Sequence, residues 1–263
     1  MDALYLADGK LFRPTEYSRG PWMADAQHGG PPAALLQRLI ENCTEPDHWI
    51  SRMSVELLAP VPLTPLTFTT ELQQLSRRVQ FAGAELLSDG RVVARARARI
   101  LRQSEPIFSE SPETDGPFLL PGAEVQREAP AWLIGQDHLT FHQKAVDHRW
   151  EDGDFDSPGS AVCWQRLNKQ VIAGEEPSGQ QRVMALADLA SGVSAVLSMA
   201  SGYGMINSDL DVAFVRPPVG EWLRTDATTR LGPRGTGVCS NTLCDQLGVI
   251  AHGTQTLLGR SFA

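Results

Sequence analysis

MSVELLAPV…DGRVVARARARIL, from Met53 to Leu101, and LDVAFVRPP…QLGVIAHGTQTLL, from Leu210 to Leu258, lie over one another without a gap. Val55 meets Val212, Pro60 meets Pro217, Val92 meets Val249 and Ala94 meets Ala251, all at an offset of 157 residues. Identities are sparse. What repeats is the order of strand, proline stop, strand, turn and strand. A repeat of this kind means one fold used twice. A site between the copies can keep its chemistry on one and its binding surface on the other.

Within the first copy, Met53–Ala59 reads as a strand stopped at Pro60-Val61-Pro62, with further strands at Leu66–Leu75 and Val79–Leu87. Asp89-Gly90 is a hairpin signal. After it, Val92, Ala94, Ala96, Ala98 and Ile100 alternate with Arg95, Arg97 and Arg99, as in a strand with one wet face. The small inner alanines leave room for a helix to lie close. In the second copy the strands fall at Leu210–Val215, Trp222–Arg230, Gly237–Asp245 and Val249–Leu258.

Each copy is preceded by an apolar helix. Gln27–Asn42 carries Pro31 and Pro32 where a first helical turn tolerates them. Gln180–Ala200 is apolar almost all round and rich in small residues. Such helices are buried. Short edge strands are expected around Gly9–Trp22, and strand-like pieces near Leu139–Val146 and Ala161–Ile172. The stretch Ser104–Pro130, with Pro106, Pro112, Pro117, Pro121 and Pro130, reads as a linker. The expected architecture is α+β: a double hotdog of two tandem domains, each a curved antiparallel sheet wrapped round a central helix. The domains are expected over 1–103 and 136–263, with a linker over 104–135.

The net charge of −8, with no cluster of Lys and Arg to offset it, argues against a nucleic-acid partner. No apolar run approaches the roughly 20 residues that span a bilayer. No secretory signal opens the chain, so a cytoplasmic protein is expected. Cys43, Cys163, Cys239 and Cys244 form no CxxC pair and no zinc spacing, which suits reduced, mostly buried thiols.

Three polar residues occupy places that should be apolar. Asp188 lies within the second helix, among Ala185, Ala187, Ala190 and Gly192. Gln255 shares a strand face with Ala251, Gly253 and Leu257, and its counterpart in the first copy is Ala98. Asn207 precedes a strand whose parity it does not match, so it faces inward only through a bulge or a loop. Two readings stand side by side. The three residues can knit a structural hydrogen-bond network, since buried polar groups must be paired. Alternatively they hold a water, with the Asp188 carboxylate as general base. His28-Gly29-Gly30, immediately before the first helix, is a second constellation. Glycines there admit a ligand to the free backbone N–H groups, which suits the oxyanion of an attacked carbonyl. It is otherwise a tight turn with His28 as a cap. His138, His142 and His148, with Asp147 and Asp152, match no metal spacing and read as surface residues. Ser191, Ser194 and Ser198 lack a GxSxG elbow. No dinucleotide or Walker loop is present.

HGGPPAALL (His28–Leu36), ALADLASG (Ala185–Gly192), INSDLDVAFVRPPVGEWLR (Ile206–Arg224) and HGTQTLLGR (His252–Arg260) resemble, in order and spacing, the acyl-CoA thioesterase II family of double-hotdog enzymes. The resemblance spans nearly the whole chain, and Arg216–Leu223 is its most specific piece. It implies hydrolysis of fatty acyl-CoA by a water that an Asp, a Thr or Ser-like residue and a Gln orient. These fall on Asp188, Asn207 and Gln255, with Asn207 standing where the best-known members carry Thr. On this reading His28, Gly29 and Gly30 are expected at the substrate, with the backbone N–H groups near the two glycines holding the thioester oxygen, and no metal or organic cofactor is needed, since the CoA thiolate is a good leaving group. The acyl chain is expected between the two central helices, and a homodimer or higher homo-oligomer is a reasonable expectation. The alternatives are a non-catalytic acyl-CoA or acyl-chain binding protein, or a hotdog hydratase acting on enoyl thioesters.

Overall fold

The computed structural model describes residues 2–105, 115–129, 139–198 and 201–261. The chain runs β1 (Ala3–Asp8), β2 (Leu11–Pro14), α1 (Gly30–Glu41), β3 (His48–Leu57), β4 (Thr67–Ser76), β5 (Val79–Ser88) and β6 (Arg91–Arg102). It continues through β7 (Gln126–Arg127), α2 (Phe141–Lys144), β8 (Val146–Asp152), β9 (Ala161–Leu167), β10 (Gln170–Ile172), α3 (Gly179–Ala187) and α4 (Ala190–Val193). The last strands are β11 (Tyr203–Asn207), β12 (Asp209–Phe214), β13 (Trp222–Leu231), β14 (Thr236–Asp245) and β15 (Gly248–Ser261).

The two halves share one antiparallel sheet, ordered β4-β5-β6-β3-β12-β15-β14-β13-β9-β8-β7, with β11 paired to β15. The seam is β3 against β12. Ser54 stands directly opposite Asp211, and these residues are 157 apart, so each pairs with its own repeat counterpart. The pseudo-twofold axis of the duplication passes through that pair. Inside the sheet, α1 and α3 pack on each other, and α1 packs on the alanines of β6. Ala94, Ala96 and Ala98 are all buried, as their small size against a helix requires. A Cβ on Gly30 would fall 2.2 Å from the Ala185 carbonyl oxygen, so this glycine lets the start of α1 touch α3. The helices meet directly there, and no groove opens at that contact.

Several expected elements differ. The helix expected over Gln180–Ala200 stops at Ala187 and resumes as the single turn α4. The apolar pattern runs through the break because both pieces are buried, so periodicity does not register it. The piece near Leu139–Val146 is helical at Phe141–Lys144, where Thr140 and Gln143 form a reciprocal capping box. Pro106, Pro112 and Pro130 lie outside the described residues, and Phe118 of the linker donates its N–H to Gln246 O, beside the β14–β15 turn.

The Arg216–Leu223 motif holds that same turn. Arg216 reaches both carboxylate oxygens of buried Asp245 at 2.7 and 2.5 Å and also donates to Gly248 O. Asp245 further accepts from the Val219 and Leu247 N–H groups. Burial works to raise the Asp245 pKa, but Arg216 and these N–H groups outweigh it and hold the carboxyl below its usual range. Removing one partner of a buried pair leaves the other uncompensated. Arg216→Met is therefore expected to lower unfolding free energy in urea titration by about 3–5 kcal/mol. A loss under about 1 kcal/mol, the size of an exposed pair, would contradict this role.

Candidate active site

The residues before α1, the end of α3, the β11–β12 break and the middle of β15 converge on one point. Asp188 is the C-terminal cap of α3 rather than a mid-helix residue, and it is buried. The helix breaks there because a side chain is inserted into its hydrogen-bond ladder. Gln255, on the inner face of β15, donates from Nε2 to the Asp188 backbone carbonyl at 2.9 Å and accepts the Ser191 N–H at 3.1 Å. The glutamine thus satisfies the broken backbone on both sides, and it meets Asp188 through the main chain.

Asn207 reaches inward through the bulge that its parity demands. On β15, Asn207 stands opposite Leu257, while Asp211 stands opposite Thr254, so one extra residue is accommodated between them. Asp209 secures the irregularity by accepting the Thr256 N–H at 2.7 Å. The first half carries the same feature, a register shift between Ile50 and Arg52 on β3. By the repeat, Ile50 corresponds to Asn207 and Ala98 to Gln255. Both first-half residues are buried and apolar. The scaffold is therefore duplicated, and its polar trio exists on one side.

The Asp188 carboxylate is gripped from both halves. Asn207 Nδ2 donates to Oδ1 at 2.7 Å and also to Asp209 O at 3.3 Å. Oδ2 lies 2.5 Å from His28 Nδ1. A Cβ on Gly29 would fall 2.6 Å from Oδ1, so glycine at this cap brings the positive end of α1 against the carboxylate. The Gly30 N–H is directed at His28 Nδ1, at 3.4 Å. Gly30 sits between Ala185 and Phe141, whereas Gly29 lines a cavity.

Two cavities flank this point and share Trp22, His28 and Asn207 in their walls. One, about 280 Å³, runs past Asp188 along Leu189, Val193 and Val196 toward Met205. The other, about 360 Å³, is walled by Gly29, Leu57, Val61 and Ile206 and opens beside exposed Arg260.

The histidines correct the expectation of a surface cluster. His142 and His148 are both buried, and His138 lies outside the described residues. α2 is docked on the loop before α1, with the Phe141 N–H donated to Arg19 O. It places His142 Nε2 3.0 Å from His28 Nε2, and the His142 ring stacks on His148 at 6.1 Å. The signal for this was the capping box at Thr140, which turns an apparent strand into a helical turn. Burial, reinforced by His28 and His148, holds His142 well below its ordinary pKa. Burial also pushes His148 down to about 4, against a smaller opposing pull from Asp147.

Most of the chain matches the models of one known family. Residues 18–101 match the model of the acyl-CoA thioesterase N-terminal domain, and residues 120–258 match that of the C-terminal domain. The chain belongs to the acyl-CoA thioesterase family. As a member it is a thioester hydrolase built on paired hotdog domains. A hot dog fold protein of unknown function from Alicyclobacillus acidocaldarius superposes with a TM-score of 0.73 at 18% identity, covering 99% of this chain and 97% of that one. A candidate thioesterase from Novosphingobium aromaticivorans gives 0.72 at 20% identity, covering 97% and 98%. An acyl-CoA thioesterase II from Mycobacterium marinum gives 0.66 at 14%, covering 97% and 94%. At these identities the likeness concerns the fold alone. No curated protein matches the chain.

The buried imidazoles couple stability of this acyl-CoA thioesterase fold to pH. The unfolded chain protonates His148 near pH 6.5, while the folded one resists to about 4. Between these values the unfolded state binds more protons, so stability is complete above pH 6.5 and falls as pH drops toward 4. Each such histidine contributes a slope of up to about 1.4 kcal/mol per pH unit. Urea titrations across this window should show a smaller slope for His148→Phe than for the parent chain. An equal slope would contradict the assignment.

Proposed function

We propose that the chain hydrolyses acyl-CoA with Asp188 as general base, and that Asn207 and Gln255 set the geometry of the attacking water. The observation that carries this reading is a buried carboxylate, held by an amide and an imidazole, where two cavities meet. A dry carboxylate is costly, and a purely structural role gives no reason to set it beside open space.

Both N–H groups of the Asn207 amide are spent on Asp188 and Asp209 O. Its carbonyl oxygen is the end that accepts a hydrogen bond from a water, whose other hydrogen points to Asp188. The water oxygen attacks the thioester carbon as its proton passes to Asp188. The carbon–sulfur bond then breaks, and the proton returns to the thiolate. Gln255 acts as a positioning residue by fixing the α3 break that aims Asp188. The thioester oxygen lies against the Gly29 backbone at the start of α1, where partial positive charge favours an oxyanion. The acyl group occupies the cavity along Leu189 and Val193. At about 280 Å³ this is the small end of ligand pockets, which suits short or medium acyl groups. The CoA arm follows the second cavity toward Arg260, whose guanidinium suits phosphate. His28 and Asp188 touch, leaving no room for a reactant between them, which counts against enoyl hydration.

General-base help is worth about 10²–10⁴ in rate. Asp188→Asn, with an unchanged melting temperature, should lose activity by that factor when thiol release from acyl-CoA is followed. A folded variant at the native rate would sink the mechanism, and tight binding by the parent chain without thiol release would favour the binding-protein reading. Arg260→Ala should raise KM severalfold for acyl-CoA and leave KM unchanged for an acyl-pantetheine thioester that lacks the nucleotide. Equal effects on both would remove Arg260 from the CoA path.

A further inference from the structure

We propose that Asp188, His28 and His142 form a proton-ordered relay spanning both halves. In it His28 holds a proton against Asp188, and His142 fixes which ring nitrogen of His28 carries that proton. This rests on the hydrolase reading above and assigns positioning roles to His28 and His142.

The ordering follows from distances. His28 Nδ1 and Asp188 Oδ2 are 2.5 Å apart, with both side chains almost fully buried. Two bare lone pairs repel at that separation, so a proton lies between them. His28 Nε2 and His142 Nε2 are 3.0 Å apart, so one of these two nitrogens also donates to the other. Burial keeps His142 neutral, giving it a single N–H. His142 Nδ1 is buried and has no hydrogen-bond partner among the described residues. An orphaned buried N–H is rarer than an under-satisfied acceptor, so the His142 proton sits on Nε2. It is donated to His28 Nε2, which is therefore bare, and the His28 proton is on Nδ1, facing Asp188; the Gly30 N–H, 3.4 Å from that nitrogen, is then a contact and not a hydrogen bond.

This is the logic by which a carboxylate and a second partner lock one imidazole tautomer. Here the locked imidazole serves the carboxylate. With its proton on Nδ1, His28 lies 2.5 Å from Oδ2 and holds the group in place, so that Oδ1, beside Asn207, faces the water. His28 comes from the first half and His142 from the second, so the relay closes only when the halves assemble. Phe141, packed on the His28 ring at 5.5 Å, keeps bulk water from one side of it.

The test combines nitrogen-detected NMR of histidine-labelled protein with thiol-release kinetics. His142 should report as the Nε2–H tautomer and His28 as Nδ1–H, with a strongly deshielded proton that disappears in Asp188→Asn. His142→Phe should lower kcat by roughly 10–100-fold, as loss of the outer partner of a metal-bound histidine does, with KM unchanged. His142→Gln, whose amide can still donate to His28 Nε2, should recover most of kcat. Finding His28 as Nε2–H, or full kcat in folded His142→Phe, would overturn the relay. If the parent chain releases no thiol from any acyl-CoA, the hydrolase reading falls, and the ring tautomers still decide the proton order.

Discussion

The structure depends on one constraint: the Asp188 carboxylate sits in the dry interior and has to be satisfied there. A lone ionised carboxylate in such surroundings is far too costly to persist. Here Asn207 donates to one oxygen, the His28 ring lies 2.5 Å from the other, and the start of α1 lies against both. No single segment supplies these partners. The α3 break, the β11–β12 bulge and the glycine approach of α1 are each needed to bring them in, and each is a local irregularity in an otherwise regular sheet-and-helix frame.

Duplication explains how these irregularities came to be available. The bulge exists in both halves, at Ile50–Arg52 and between β11 and β12, so the inward position that follows from it is a property of the fold. In the first half Ile50 and Ala98 fill the corresponding positions as ordinary core. In the second half Asn207 and Gln255 take the same places and become polar. The first half contributes instead the end of a helix and a histidine. Each half thus gives up part of its symmetry, and the seam at Ser54–Asp211 keeps the two in register.

Much of this was legible in the sequence. The gapless repeat carried the fold, and the polar residues Asp188, Asn207 and Gln255 stood out because they broke an apolar pattern. Gln255 could be assigned to the inner face from strand alternation and from Ala98, and the structure has it there. What the pattern could not convey was the helix break at Asp188, because small apolar residues continue across it and a side chain sixty-odd positions downstream causes it. His142 and His148 were read as surface residues because their spacing was weighed only against metal motifs. Their burial arises from a docking contact, Phe141 on Arg19, between segments far apart in the chain. Long-range packing of this kind leaves no local periodicity to read. The direct approach of Gly30 to Ala185 at the start of the central helices met the same obstacle, since it is a matter of tertiary fit.

The central claim is that Asp188 activates a water and does not itself attack the thioester. A single turnover in heavy-oxygen water, followed by mass spectrometry of the released acid and of the peptide bearing Asp188, tests it most directly. Activation of water places the heavy atom in the acid and leaves Asp188 unlabelled. Heavy oxygen found in the Asp188 carboxylate would show that this group had formed a covalent anhydride, and would contradict the account.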